Sequence, residues 1–365
     1  MRNSKWFVTI VCFILSLSTI LAGCGSSSTS TNTTSTPAPS SPTDKPSDQT
    51  SAPAPAASES PKKQLFLNVA TATTAGVYYA LGNGMADLWN QKVEGVRASA
   101  QATAGSPQNV KLMSKKEAHV AFVQNGIAYE AWNGVGQFEG SAEKDIRALT
   151  YLYPNLCYFV VRADSGINSL SDIKGKTIAP GPVGSGTELN AREILSIVGI
   201  DYKDGKDAKA QYVGNAESAQ MLLDNQVDVT YISGGLPHAS VVEMATSKDV
   251  KILPVEGEVR DKLMEKYSWY FPVTIPANSF KGQSEAIETV AVANLLLGRA
   301  DLDEDVVYSM IKSVYDNKEQ LAASFKGASK MKPEEGLNGV TLPLHPGAVK
   351  YFKEQGLQIP DSLIQ

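Results

Sequence analysis

Strand-like and helix-like segments alternate along most of this chain, from about residue 64 to its last residue. Short apolar runs such as 65–70 and 120–123 predict strands, and apolar residues recur at helical spacing between them, as in 77–92. This alternation indicates an α/β protein with largely parallel sheets. In such proteins ligands collect at the carboxyl ends of strands, beside helix N-termini.

The predicted elements fill a folded part of about 300 residues, which is enough for two lobes with separate cores. The predicted strands are 65–70, 96–102, 120–123, 146–153, 157–161, 177–179, 210–213 and 227–232. The predicted helices are 77–92, 107–114, 127–132, 187–198, 216–224, 286–297, 303–316 and 345–355, so the last hundred residues are expected to be mostly helical.

The first residues have the pattern of a secretory signal: Arg2 and Lys5 precede an apolar segment over 6–22. The segment closes as Leu21-Ala22-Gly23-Cys24, which resembles the lipobox of bacterial lipoproteins. The resemblance implies a signal peptide over 1–23 and lipidation of Cys24, which anchors the protein to the outer face of the cell membrane. An uncleaved membrane anchor is the alternative, and it also places the folded part outside the cytoplasm.

Residues 24–63 are nearly all Ser, Thr, Pro and Ala, with a few charges. They have almost no apolar surface to bury, so we expect a disordered tether. After the signal, no apolar stretch is long enough to span a bilayer, so the chain is not expected to be a pore or carrier.

Several chemical classes are disfavoured by the composition. The formal net charge is −5, with charges of both signs scattered, so no basic footprint for nucleic acid is expected. Cys157 is the one Cys in the folded part, which excludes an internal disulfide. His119, His238 and His345 form no zinc motif, and we expect no metal and no cofactor.

Four loops each follow a predicted strand and open a predicted helix: 71–76, 104–107, 123–126 and 181–188. Their small residues allow close backbone approach, and the free N–H groups of helix starts suit an anion. For one loop alone, ordinary capping is the alternative, with Ser106 and Thr187 merely starting helices. Four such loops in one chain favour a shared ligand cleft.

Enzyme motifs do not fit the Gly-rich loop. A Walker loop needs Lys after its last Gly, whereas Thr187 and Glu188 follow Gly186. A nucleophile elbow needs Gly where Val183 stands. We therefore expect no enzymatic activity; a secreted hydrolase, the alternative, would need a nucleophile and a base in the cleft.

Taken in order, these loops and their flanks resemble the TAXI family of solute receptors for TRAP transporters. The resemblance is carried by Gly76-Val-Tyr-Tyr-Ala-Leu-Gly82, Gly105-Ser106 with Asn109, Ala121-Phe-Val-Gln124, 161–176, Gly184-Ser-Gly-Thr-Glu188 and Gly235-Leu-Pro237. It runs from about Leu65 to the C-terminus.

The resemblance implies a two-lobed type II periplasmic-binding-protein fold with a ligand cleft between the lobes. Lobe 1 would comprise 64–155 plus 266–365, and lobe 2 156–265. It further implies a monomeric receptor that binds a small carboxylate, such as glutamate or a related acid, and docks on TRAP membrane permease subunits. The implied ligand-binding residues are Thr74, Gly76, Tyr78, Ser106, Asn109, Gln124, Ser185, Gly186, Thr187 and Gly235.

The sequence departs from the family pattern in two loops. Ala72, Thr73 and Ala75 stand where the family is richer in Gly, and Gly126 stands where Asp is frequent. The exact solute therefore stays open. A ligand-sensing or adhesive surface lipoprotein with the same fold is the alternative function, and neighbouring permease or sensor-kinase genes would distinguish the two.

Overall fold

The computed structural model describes residues 64–364. The predictions for the signal peptide over 1–23, for lipidation of Cys24 and for the tether over 24–63 lie outside the described residues.

Ten strands and ten helices are found within the described residues. The strands are β1 (Leu65–Ala70), β2 (Val96–Gln101), β3 (Val120–Gln124), β4 (Ile146–Arg162), β5 (Thr177–Ala179), β6 (Lys209–Ala210), β7 (Val229–Gly234), β8 (Val250–Leu253), β9 (Phe271–Ile275) and β10 (Ile287–Arg299). The helices are α1 (Val77–Lys92), α2 (Ser106–Ser114), α3 (Asn125–Asn133), α4 (Gly186–Ile197), α5 (Asn215–Leu223), α6 (Ala239–Ser247), α7 (Gly257–Lys266), α8 (Glu304–Asp316), α9 (Lys318–Leu321) and α10 (Pro346–Glu354).

The strands form one sheet in the order β2-β1-β3-β10-β4-β7-β5-β6, with β8 beside β4 and β9 beside β10. The outer strands are parallel: β1 pairs with β2 and β3, and β5 pairs with β6 and β7. The long strands β4 and β10 run antiparallel to each other and to their neighbours. Each half of the sheet therefore has three parallel strands followed by a long strand that it shares with the other half.

Hydrophobic packing divides along the two long strands. In β4 the buried side chains belong to one core up to Tyr153 and to two adjoining cores from Leu156 onward. In β10 the same change occurs between Val292 and Ala293. We call the first core with its elements the first lobe and the other two cores the second lobe. The predicted two-lobed type II periplasmic-binding-protein fold is confirmed.

The predicted helix over 286–297 is wrong, because these residues form β10. Ten consecutive residues of β10 are buried, so the strand carries apolar side chains on both faces and loses its alternation. Periodicity alone does not separate such a strand from a buried helix. The strands predicted over 146–153 and 157–161 are one continuous strand, β4. Its Pro154 lies just before the pairing with β7 begins at Leu156.

The predicted lobe boundary at residues 265 and 266 stays a prediction. The hydrophobic contacts group Tyr270, Ile275 and Val290 with the second lobe. Among residues 64–364, no helix is long and apolar enough to cross a membrane.

Candidate functional site

A small cavity lies between the two lobes, at the carboxyl ends of the parallel strands. Its volume is about 50 Å³. The first lobe contributes Ala72, Thr73, Gly76, Val77, Tyr78, Ala104, Gly105, Ser106, Gln124 and Tyr153, and the second lobe, with Asn155 of β4, contributes Pro182, Ser185, Gly186, Thr187, Asn215, Ser233 and Gly234. We call this space the solute cavity.

The first residues or N-caps of five helices, α1 to α5, line the solute cavity. Each helix start presents N–H groups without intrahelical partners and the positive end of the helix dipole. The lining contains no Asp, Glu, Lys, Arg or His. The electrostatic field in the cavity therefore comes from the backbone and favours a negatively charged group.

On the first-lobe side, hydrogen bonds hold the polar side chains in place. The Gln124 backbone N–H donates to Ser106 Oγ at 3.0 Å, and the Tyr78 hydroxyl donates to Asn294 Oδ1 at 2.5 Å. Burial raises the pKa of Tyr78 well above its ordinary value. Tyr78 therefore stays a neutral hydroxyl whose oxygen can still accept a hydrogen bond.

On the second-lobe side, Ser185 Oγ accepts from the Glu188 N–H at 3.1 Å and caps α4. The hydroxyls of Thr187 and Ser233 lie 2.9 Å apart. Behind this wall, His238 is 1% exposed, and burial lowers its pKa to about 4. The imidazole is neutral at pH 7 and adds no charge to the cavity.

The lobes contact each other across the cavity. A methyl group on Gly186 would lie 2.8 Å from Gln124 Oε1, which shows how closely the two approach. Asn125 Nδ2 of the first lobe donates to the Trp269 carbonyl of the second at 3.2 Å. Gln124 is 4% exposed, and its Oε1 has no hydrogen-bond partner among the described residues. Such an acceptor suits a ligand that carries a donor.

The structure brings seven of the ten predicted ligand-binding residues to this cavity: Gly76, Tyr78, Ser106, Gln124, Ser185, Gly186 and Thr187. Thr74 is exposed, and its neighbour Thr73 takes the place in the lining. Gly235 packs against Phe325 and lines a different cavity, whereas Gly234 reaches the solute cavity.

The Asn109 side chain does not line the solute cavity and instead holds neighbouring strand ends together. Its Nδ2 donates to the Thr71 carbonyl at 2.6 Å and to the Phe122 carbonyl at 2.8 Å, and its Oδ1 accepts from the Thr103 hydroxyl at 2.7 Å. It therefore ties together the ends of β1, β2 and β3. Its side chain is fully buried and positions the loops that carry the lining residues.

Besides Thr73, sequence reasoning missed four polar lining residues: Tyr153, Asn155, Asn215 and Ser233. Asn215 follows strand β6 and begins α5, so the rule that selected the other four loops could have found it. Tyr153 and Asn155 lie inside β4, where the apolar pattern gives no signal for the side that faces the cavity.

Comparison with known proteins adds a family and several distant structures. A family model described as the NMT1-like family matches residues 69–356. The alkanesulfonate-binding protein SsuA from Xanthomonas axonopodis pv. citri, bound to MOPS, is 15% identical over 80% of this chain and 91% of its own, with a TM-score of 0.46.

PhnD1 from Prochlorococcus marinus, in complex with methylphosphonate, is 13% identical over 72% of this chain and 90% of its own, with a TM-score of 0.48. A TctC solute-binding protein from Polaromonas is 14% identical over 73% and 88%, with a TM-score of 0.45. These values are too low to carry a solute from those proteins to this chain.

Proposed function

This chain belongs to the NMT1-like family, and from that membership and the cavity between its lobes we propose that it is an extracytoplasmic solute receptor. We assign it to a TRAP-type secondary transporter and expect its solute to be a small carboxylate, such as glutamate or a related acid. The TAXI-like segments 76–82 and 184–188, which both reach the cavity, support this assignment.

The observation that carries the proposal is the meeting of five helix N-termini at a cavity without charged side chains. A carboxylate placed there accepts hydrogen bonds from backbone N–H groups of both lobes, and the helix dipoles offset its charge. Because these donors come from two lobes, the complete set is available only when the lobes are together. The solute then stabilises the closed state through contacts that the open state lacks.

The same lining supports binding over catalysis. The candidate nucleophiles are the Ser and Thr hydroxyls of the lining, and no His, Lys, Asp or Glu lines the cavity beside them: Thr73, Ser106, Ser185, Thr187 and Ser233. A hydroxyl without a neighbouring base is a weak nucleophile. The group of residues described here therefore suits recognition of a solute that leaves unchanged.

The N-terminal pattern supports the proposed location, and the TAXI resemblance supports the proposed partner. We propose that Cys24 carries the lipid and that residues 24–63 let the folded lobes stand away from the membrane. The closed lobes would then dock on the TRAP permease subunits in the same membrane.

Calorimetric titration with glutamate, 2-oxo acids, dicarboxylates and their amides tests this function. We expect binding of at least one acid and no binding of its amide, because the amide lacks the negative charge. The double substitution Ser106→Ala and Thr187→Ala removes one hydroxyl on each lobe and should weaken binding about 100-fold, at roughly 1.5 kcal/mol for each bond to a charged group.

A matched control replaces one hydroxyl on each lobe outside the cavity lining, Ser141→Ala and Thr246→Ala, both exposed. It should bind as the unmodified protein does. Equal affinity in both double variants would show that the solute binds elsewhere. A folded protein that binds none of the acids would favour the sensing or adhesive alternative.

A further inference from the structure

A second cavity lies beside the solute cavity, on the other face of Gln124, and we call it the side cavity. Its polar lining comes from both lobes: Gln124 and Glu130 on the first, Asn190 and Glu193 on the second, and Trp269 is also in the lining. The space is too small to hold a water molecule. Two carboxyl groups and two amides therefore face one another with little room between them.

The donors available to these groups are few. Tyr270 OH donates to Glu193 Oε2 at 2.5 Å, and the Trp269 indole also bonds Glu193. Asn190 Nδ2 donates to the Tyr270 oxygen at 2.9 Å. Since the Tyr270 proton is committed to Glu193, this bond fixes the amide orientation of Asn190 and leaves its Oδ1 as an acceptor.

Three oxygens on residues that line the side cavity have no hydrogen-bond partner among the described residues: Gln124 Oε1, which also lies next to Gly186 of the solute cavity, Asn190 Oδ1 and Glu130 Oε2. Gln124 is 4% exposed and Asn190 is 3% exposed, so water does not replace the missing donors. A buried acceptor without a partner costs about 1–3 kcal/mol, and a charged one costs more. Three such atoms lining one space indicate that something positive belongs there.

The basic side chain near this cavity does not supply it. Arg192 forms an ion pair with Glu188 at 3.8 Å. Burial raises the pKa of Glu130, and a hydrogen bond from the Gln137 backbone and the charge of Arg192 offset part of that rise. Among residues 64–364, no group of three or more His, Cys, Asp or Glu could hold a metal ion. A ligand here must therefore use the amide oxygens together with the carboxylates.

We propose that the side cavity binds a small hard cation, Na⁺ or Ca²⁺, through oxygens of Gln124, Glu130, Asn190 and Glu193. Such ions prefer carboxylate and amide oxygens. A bare ion of this size is smaller than water, which the space excludes. The ion would partner all three unpaired oxygens and offset the like charges of the two carboxylates.

The position of this site predicts coupling between lobe closure and cation binding. Two ligands come from α3 and its N-cap on the first lobe, and two come from α4 on the second. The full ligand set exists only when the lobes meet, so the cation stabilises the closed form. If the proposed function holds, the cation raises solute affinity and the solute raises cation affinity by the same factor.

Terbium luminescence tests the site without any solute, so its result does not depend on the proposed function. Tb³⁺ binds oxygen sites as Ca²⁺ does and emits when a nearby Trp is excited, and Trp269 lies in the lining. We expect sensitised emission from the chelator-treated protein. Glu193→Gln and Glu130→Gln should each weaken Tb³⁺ binding at least tenfold, whereas the exposed control Glu139→Gln should not.

Two further variants locate the emission. Trp269→Phe should remove the sensitised emission, and Trp132→Phe should retain it. Competition of CaCl₂ and of NaCl against bound Tb³⁺, at equal ionic strength, distinguishes the two ions, and displacement by neither salt would overturn the proposed Na⁺ or Ca²⁺ site. Thermal unfolding in the same salts should show stabilisation relative to choline chloride in the unmodified protein and in Trp269→Phe, but not in Glu193→Gln.

A proton is the competing occupant, because burial raises the pKa of Glu193 to about 7, and Glu130 adds to the effect. A proton shared by Glu193 and Glu130 would stay bound in the folded state between pH 4.5 and 7, whereas the unfolded chain loses it as pH rises through this range. Stability would then fall over this range by the same amount in every salt. That result, or Tb³⁺ emission equal in Glu193→Gln and Glu139→Gln, would overturn the cation site.

Discussion

The solute cavity and the side cavity share Gln124 as a wall, yet they have opposite chemistry. The solute cavity has no charged side chain and receives a positive field from five helix starts. The side cavity contains two carboxyl groups and unpaired amide oxygens. The comparison teaches that one lobe interface can hold two neighbouring spaces of different chemistry, one polarised by backbone groups and one by side chains.

The largest expected effect comes from Gln124→Glu, which places a carboxylate between the two cavities. It should weaken binding of an anionic solute about 1,000-fold, or roughly 4 kcal/mol, because like charges are forced together in a buried site. In the side cavity the same charge should strengthen Tb³⁺ binding. Titrations of the two ligands on one variant measure both changes.

Gln124→Leu is the control for that substitution, since it removes the amide without adding charge. Both ligands should bind it more weakly. If Gln124→Glu instead changed both affinities in the same direction, the two cavities would not differ in sign and the comparison would be wrong.

The next largest expected effect is a loss of folding stability at acid pH. The solute-cavity wall has no carboxylate to hold a protonated His238, whose pKa is lowered from 6.5 to about 4 by burial. The unfolded chain takes up this proton first, so the stabilisation is complete above pH 6.5 and is lost as pH falls toward 4. The loss amounts to about 3 kcal/mol.

Urea unfolding at several pH values measures this loss against His238→Asn, in which Asn can still cap α6. The pKa values of His119 and His345 are also lowered, so part of the acid sensitivity remains in the variant. The difference between the two proteins should grow as pH falls from 6.5 to 4. Parallel curves would show that His238 is not the buried neutral base described here.

The smallest expected effect is steric and comes from adding a methyl group at one of two glycines, one beside each cavity. A methyl group on Gly126 would lie 2.6–2.8 Å from three ring atoms of Trp269, whereas one on Gly186 would meet the flexible amide of Gln124 at 2.8–3.2 Å. The Trp269 ring has little freedom between the lobes, so Gly126→Ala should hold them apart and weaken solute binding about tenfold.

Gly186→Ala should have a smaller effect, because the Gln124 amide can swing aside. Small-angle scattering of both variants with saturating solute would report the lobe separation. A larger radius for Gly186→Ala than for Gly126→Ala would reverse the assignment of the rigid contact.

Sequence reasoning predicted most of the helix starts that form the solute cavity, because each begins after a strand with small or capping residues, as at Gly105-Ser106 and Ser185-Gly186. It failed where burial removes periodicity, in β10. It also placed Asn109 in the lining, since a side chain that ties loops together and one that binds a ligand look alike in sequence.

The side cavity left no trace in the sequence. Glu130 and Glu193 are 63 positions apart and lie on ordinary amphipathic helices, so nothing marks them as a pair. Only the closure of α3 against α4 brings them together. Which two carboxyl groups become neighbours depends on how the two lobes pack, and local sequence patterns do not encode that packing.

Because the two lobes share β4 and β10, the order in which they can fold is fixed while the chain is being synthesised and exported. By Leu253 the second lobe has β4 to β8 and lacks only β9 and the first residues of β10, whereas β3 of the first lobe waits for the later residues of β10, from Ala293 onward. We therefore expect the half of the sheet that starts first to be finished last. Pairings between strands that are distant in the sequence form slowly, so a chain that crosses a membrane would stay incompletely folded for most of its passage.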